Sequence, residues 1–260
     1  VFYSIPFNQR WDQLGSLSAR LPSALSALFL MMMIADTIFC SNKKSKDNIL
    51  LSLIASLSFL LSPLIIIWSR TAVSDSLLCA TLGASLLSFW RKISSEDESI
   101  CITPWLFLAF AILTKGPVAF VIIFTTLFTY FLTHKNWKAL FFKINPAKGL
   151  LITFLISSPW YFIQLVQKGN VFWDSFFGYH NLQRYTSVVN NHSEPWWFYI
   201  FIMVLASLPF SIFLIYGIVE TLKELIYKFE NRSESINNIY IFSLCWLTSV
   251  FIFFSFSATK

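Results

Sequence analysis

Long apolar stretches alternate with short polar ones along the whole chain. A helix that crosses a bilayer needs ~20 predominantly apolar residues, with a range of roughly 17–25. Residues 21–40, 49–68, 149–166, 197–219 and 238–257 meet that requirement. Three further segments are shorter or interrupted. Residues 71–90 carry Asp75 near their start, and residues 100–114 and 116–132 are separated by Lys115-Gly116-Pro117. Proline lacks a backbone N–H and breaks a helix interior, so that tripeptide ends one helix and begins the next. The pattern predicts an all-α, polytopic transmembrane bundle of about eight spans. Residues 100–132 fit a re-entrant hairpin as well as two spans. There is no fixed-period repeat and no low-complexity linker, so residues 1–260 are expected to form one membrane domain. The chain begins at Val1 and stops at Lys260 just after an apolar run, which suggests a piece truncated at both ends.

Composition narrows the solvent. Hydrophobic residues make up 56% of the chain, charged residues only 12% and aromatics 18%, with a mean hydropathy of +0.65. This excludes an ordinary soluble domain, a disordered chain and a collagen-like chain. The net charge of +6 does not indicate a nucleic-acid partner, because the basic residues sit in short clusters between apolar runs. Placed on alternate sides, the loops give one side 12 Lys and Arg and the other 7. The richer side should be cytoplasmic. The four cysteines lie in or beside apolar runs without a CxxC pair and read as small, lipid-compatible core residues.

That orientation sorts the loops by character. Cytoplasmic loops are short and Lys/Ser/Asn-rich. Outer loops hold single ionisable residues beside aromatics and prolines. The longest, residues 167–196, contains Trp173, Asp174, His180, Arg184, His192 and Glu194. It is too aromatic for a loose linker and is expected to be partly helical, lying along the membrane surface.

Three outer constellations could carry chemistry. Arg70 and Asp75 frame the second outer loop. Ionisable groups at a membrane boundary are costly unless solvated or paired; the plainer alternative is a helix cap by Ser74 or Asp75, with Arg70 snorkelling. Lys115 lies between two apolar runs, where its ammonium must find an anion, water or a carbonyl; it could equally be a snorkelling turn residue. The third set is His180 and Arg184, followed by His192 and Glu194. If residues 175–185 are helical, His180 and Arg184 share a face at i and i+4. That would place a metal-binding or proton-exchanging group beside a phosphate clamp. The alternative is an interfacial aromatic belt meeting lipid headgroups. Asp36, inside the first span, reads as a solvated helix-end residue, and Asn191-His192-Ser193 matches a glycosylation sequon, a very short pattern.

Five blocks follow one another in a fixed order: Ser18-Ala19-Arg20-Leu21-Pro22-Ser23-Ala24-Leu25, Arg70 with Asp75, Leu113-Thr114-Lys115-Gly116-Pro117, His180 with Arg184, His192 and Pro195-Trp196-Trp197, and Ser257-Ala258-Thr259-Lys260. This series resembles the polytopic GT-C glycosyltransferases of the protein O-mannosyltransferase type, and among them the bacterial aminoarabinose (lipid A) transferases. The resemblance covers nearly the whole chain. It implies transfer of a sugar from a polyprenyl-phosphate donor to a lipid, protein or glycan acceptor, at the extracytoplasmic face of the cell (inner) membrane. The resemblance implies Asp75 as the second acidic residue of the active site and Lys115, Arg184 and Lys260 as groups near the carrier phosphate. On charge and position Asp75 and Lys115 are the expected catalytic pair, and Arg70 joins Arg184 and Lys260 in binding the substrate phosphate. His180, with His192 and Glu194 as further candidates, would serve as metal ligand or acid/base; the cofactor is left open, with a divalent metal as the candidate. The family's main catalytic acid precedes anything in this sequence. Such a piece is expected to be inactive alone, and the function belongs to the parent protein. A transporter or lipid flippase is the alternative, but it would place its ionisable residues near mid-membrane, often in repeated halves. A non-catalytic scaffold would explain the hydropathy but not the Thr-Lys-Gly-Pro block.

Overall fold

The computed structural model describes residues 14–41, 46–95, 102–134, 137–187, 194–195, 197–230 and 239–258. The apolar runs form helices α1 (Leu14–Ser41), α2 (Lys46–Leu60), α3 (Pro63–Ser69), α4 (Asp75–Ser94), α5 (Thr103–Lys115), α6 (Val118–Leu132), α7 (Trp137–Lys143) and α8 (Pro146–Lys168). The segment that follows α8 holds single turns α9 (Asn170–Phe172) and α10 (Arg184–Thr186) on either side of a π-helical run, Trp173–Gln183. Helices α11 (Phe198–Ala206), α12 (Ser211–Glu230) and α13 (Ile239–Ser255) complete the chain. Among the described residues no strand occurs.

Each of the eight expected spanning segments is helical, but not all are straight. The segment at 49–68 bends by 63° between α2 and α3, because Pro63 starts a new helix after an extended Ser62. The segment at 197–219 turns by 118° between α11 and α12, across Ser207–Phe210, which contains Pro209. Among the described residues two helices, α1 and α8, suffice by length and composition to cross a membrane, and four spans qualify if each bent pair counts as one. Helices α5, α6 and α13 are apolar but run for only 13, 15 and 17 residues.

Helix α4 explains why hydropathy alone undercounts. It carries Ala80, Thr81, Gly83, Ala84, Ser85 and Ser88 among its leucines, and every residue from Ala80 to Trp90 is buried. A helix surrounded by other helices gains more from close packing than from lipid solubility, and small residues allow that packing. Helix α1 presses on it so closely that a Cβ at Gly83 would lie 2.7 Å from the Leu30 side chain. On its other side α4 shares the core with α5, α6 and α13. Phe89 meets Trp105 edge-on at 5.0 Å, and Tyr130 meets Phe242 at 5.1 Å. Such T-shaped pairs suit the quadrupoles of the rings. Two hydroxyls tie neighbouring helices together: Ser85 donates to the Pro104 carbonyl at 2.7 Å, and Thr153 to the Trp105 carbonyl at 3.1 Å.

The ends of the bundle differ in how their charges are used. At one end Arg91 donates to Asp36 at 2.5 Å and to Thr37 at 2.9 Å, tying α1 to α4. Asp36, expected to be merely solvated, is therefore ion-paired. Lys143 caps the end of α4 by donating to the carbonyls of Ile93, at 2.9 Å, and Ser95. Of the blocks singled out in the sequence, Ser23, the Arg70–Asp75 loop and Lys115 lie at the opposite end. Of the cysteines, Cys245 belongs to the core, but Cys40 and Cys79 lie on helix surfaces.

Candidate active site

The site begins with the loop between α3 and α4. Arg70 caps the C-terminus of α3 and is exposed. Ser76 donates to the Trp68 carbonyl at 3.1 Å and closes the loop. Ser23 of α1, itself buried, donates to the Val73 carbonyl at 3.1 Å. The Ala-Arg-Leu-Pro-Ser block is thus bonded to the Arg70–Asp75 loop, fifty residues away. Ser74, at the N-cap of α4, makes no side-chain capping bond. Asp75 turns its carboxylate instead to Lys115, the last residue of α5, and the two form an ion pair. Both remain partly open to solvent, with 24% of the Asp75 side chain and 42% of the Lys115 side chain exposed.

Gly116 then reverses the chain, with φ +81° and ψ −150°. That region is essentially reserved for glycine. Pro117 starts α6 immediately afterwards. Phe176 of the π-helical run lies over the turn, only 2.9 Å from where a Cβ on Gly116 would stand. The run is fastened there by aromatic packing. Tyr161 of α8 donates its hydroxyl to the Ile112 carbonyl at 2.7 Å, and its ring lies 5.7 Å from Phe176 and 6.0 Å from Phe177. Phe172 stacks on Phe176 at 5.3 Å. Asn181 donates to the Phe176 carbonyl at 2.6 Å, within the wide π turn. Farther along, the Tyr185 carbonyl accepts from the Ala258 N–H at 2.9 Å, which brings the Ser257-Ala258 end beside Arg184 in the chain.

The structure thus brings Asp75 and Lys115 into contact and lays the helix that carries His180 over the turn that follows Lys115. The expected i, i+4 register of His180 and Arg184 is altered, because His180 lies on a π-helix, whose bonds run i to i+5. The side chains of His180 and Arg184, and residues His192 and Lys260, lie outside the described residues. Glu194 is exposed. Among the described residues no three His, Cys, Asp or Glu side chains converge as a metal would require. Sequence reasoning missed the Ser23–Val73 bond and the aromatic seat of Tyr161, because pairings fifty residues apart leave no local signal.

An apolar groove of about 630 Å³ runs along α13, between it and α1, α3 and α11. Ile38 and Ile239 line its far end, and Tyr199 and Phe254 its near end, on the side of the site.

Residues 12–163 match the profile of the dolichyl-phosphate-mannose-protein mannosyltransferases, well over half of the chain. The chain belongs to this family. The matched stretch takes in both Asp75 and Lys115. Among relatives of this mannosyltransferase family, the chain is 26% identical over 213 residues to the undecaprenyl phosphate-alpha-4-amino-4-deoxy-L-arabinose arabinosyl transferase of Erwinia tasmaniensis, covering 80% of this chain and 36% of the relative. It is 30% identical over 259 residues to the transferase of that name from Wigglesworthia glossinidia brevipalpis, covering 95% of this chain and 42% of the relative. Its fold matches the crystal structure of ArnT from Cupriavidus metallidurans bound to undecaprenyl phosphate, with a TM-score of 0.77 at 23% identity over 94% of this chain and 42% of ArnT. The chain therefore spans well under half the length of these relatives.

Proposed function

We propose that the parent protein is an integral-membrane glycosyltransferase. It takes a sugar from a polyprenyl-phosphate donor and passes it to a lipid, protein or glycan acceptor at the extracytoplasmic face of the inner membrane. The carrying observation is the Asp75–Lys115 ion pair, which joins two of the family blocks at the end of the bundle where Ser23 bonds to the Val73 carbonyl. Family membership and the names of the relatives support the reaction class. The assignment of the face rests on the Lys/Arg bias of the loops. The long apolar groove beside the site suits a polyprenyl tail.

In this reaction the bond between the sugar C1 and the carrier phosphate oxygen breaks, a bond from C1 to the acceptor oxygen forms, and the carrier leaves as polyprenyl phosphate. Negative charge grows on the departing phosphate. Lys115, with Arg70 and Arg184, neutralises it, and stabilising developing charge in a low-dielectric site is usually the largest catalytic contribution. Asp75 holds the Lys115 ammonium in place before substrate arrives. It then assists the carboxylate that removes the acceptor proton. A transporter would need its ionisable groups near mid-membrane, whereas here they sit at one end of the bundle.

The test uses the intact parent protein in membranes. Lys115→Ala and Arg184→Ala should abolish sugar transfer from a polyprenyl-phosphate donor while insertion stays normal. Wild-type transfer rates in both variants would refute the proposal.

A further inference from the structure

A second apolar groove, of about 440 Å³, shares no lining residue with the one along α13. Its long wall is α6. Phe120, Phe124 and Phe128 recur there every four residues, with ring centroids 6.2 and 6.1 Å apart and planes 14° and 13° from parallel. All three rings are exposed. Trp105 of α5 lines the groove from the inner side. Its Nε1 donates to the Ile144 carbonyl at 3.1 Å, and its indole lies so close to Gly149 of α8 that a Cβ there would overlap it. Helix α7 closes one end with Trp137 and Phe141. That is the end where Lys143 caps α4, away from Asp75 and Lys115.

Length and charge say what fits. From Phe120 to Leu132 the wall runs ~18 Å at the rise of an α-helix. One leaflet contributes about half of a hydrocarbon core ~30 Å thick. The groove therefore accepts one acyl chain lengthwise, whereas a polyprenyl tail is several times longer. No Asp or Glu occurs between Glu98 and Asp174, while Lys135, Lys138, Lys143 and Lys148 crowd the short stretch around α7. Basic clusters of this kind beside a span attract anionic lipid headgroups. Lys143 is engaged by the Ile93 and Ser95 carbonyls. Lys138 is exposed, and its Nζ stands 5.8 Å from the centroid of the Trp137 ring at the closed end of the groove. Among the described residues no carboxylate forms an ion pair with it. An apolar slot one chain long thus ends beside a cation.

We infer that this groove binds an anionic phospholipid of the cytoplasmic leaflet, the side to which the Lys/Arg bias assigns α7. One acyl chain lies along the phenylalanine ladder, and the headgroup phosphate rests on Lys138. The inference stands apart from the transferase reading, because no residue of the candidate active site lines the groove.

The intact protein is reconstituted in phosphatidylcholine vesicles with a trace of phosphatidylglycerol that carries a photoactivatable acyl chain. After illumination the cross-linked peptides are mapped. Cross-links should concentrate on residues 120–132 and 137–150, and unlabelled phosphatidylglycerol should suppress them far better than added phosphatidylcholine. Lys138→Ala should weaken that competition about fivefold, and Lys138→Arg should restore it. Leu150→Trp fills the groove with an indole and should abolish these cross-links without changing labelling elsewhere. Lys138→Ala, at an exposed position, tests the proposal even if Leu150→Trp fails to insert. Labelling spread evenly around the bundle, equal competition by the two phospholipids, or wild-type competition in Lys138→Ala would each overturn the proposal. So would competition by undecaprenyl phosphate as strong as that of phosphatidylglycerol, which would give the groove to a polyprenyl carrier.

Discussion

Gly116 offers the sharpest test of how the site is built. Gly116→Ala places a Cβ on a residue at φ +81° and ψ −150°. Non-glycine residues in such regions cost on the order of 1–3 kcal/mol. The new methyl would also stand 2.9 Å from Phe176 Cζ and 3.0 Å from Cε1. Those atoms are the far edge of a ring, so the ring can yield at a cost of about 1 kcal/mol. Together they predict a loss of ~2–4 kcal/mol, or a drop in Tm of very roughly 5–15 °C, for a domain of this size. Because the turn carries Lys115 on one side and Phe176 above it, transfer should fall more steeply than stability. The assay pairs thermal unfolding in detergent with initial transfer rates of the parent protein below the unfolding range. Gly116→Ala with Phe176→Leu should recover the steric share but not the backbone share. Gly217→Ala is the control: no atom lies within 4 Å of the place its methyl would take, and an Ala inside α12 should be neutral or stabilising by up to ~1 kcal/mol. Wild-type Tm and rate in Gly116→Ala would refute the account.

Further outcomes follow from other contacts. Gly149→Ala would drive a methyl into the Trp105 indole, so α5 and α8 must separate; pulse-chase and melting experiments should show a loss of ~3 kcal/mol or more, or failure to accumulate. Asp75→Asn removes the ion pair with Lys115 but keeps the side-chain shape. Since both partners are part-exposed, stability should change by only ~0–1 kcal/mol, whereas transfer should drop by at least an order of magnitude. Ser23→Ala breaks the bond to the Val73 carbonyl, should cost about 1 kcal/mol, and should raise proteolysis at residues 70–74, with Ser23→Thr restoring protection.

Much of the architecture was legible from the order of apolar runs, because a backbone in lipid must satisfy its hydrogen bonds within each segment and helices are the simple answer. The break at Lys115-Gly116-Pro117 was equally plain, since Pro and Gly act locally. The bends at Ser62-Pro63 and around Pro209 carry the same signal, though each lies inside a run apolar enough to pass for one straight span. The π-helical run over 173–183 has no sequence mark, because π geometry depends on what the segment packs upon, here Tyr161 and Gly116. The site residues could be singled out one at a time, as charges in places where charge is costly. Their meeting could not: Asp75 and Lys115 are forty residues apart, and only the crossing of α4 and α5 joins them.

The burial of α4 has a consequence for how the protein comes to exist in a membrane. The helix that presents Asp75 ends in Arg91 and Lys92 and is rich in Ser, Thr, Ala and Gly, so it partitions into lipid poorly by itself. In the folded bundle its neighbours α1 and α5 shelter it, and the guanidinium of Arg91 meets Asp36 of α1. Assembly of the end that carries the proposed site is thereby coupled to correct insertion of α1, and a defect there should surface as lost transfer with Asp75 and Lys115 unchanged.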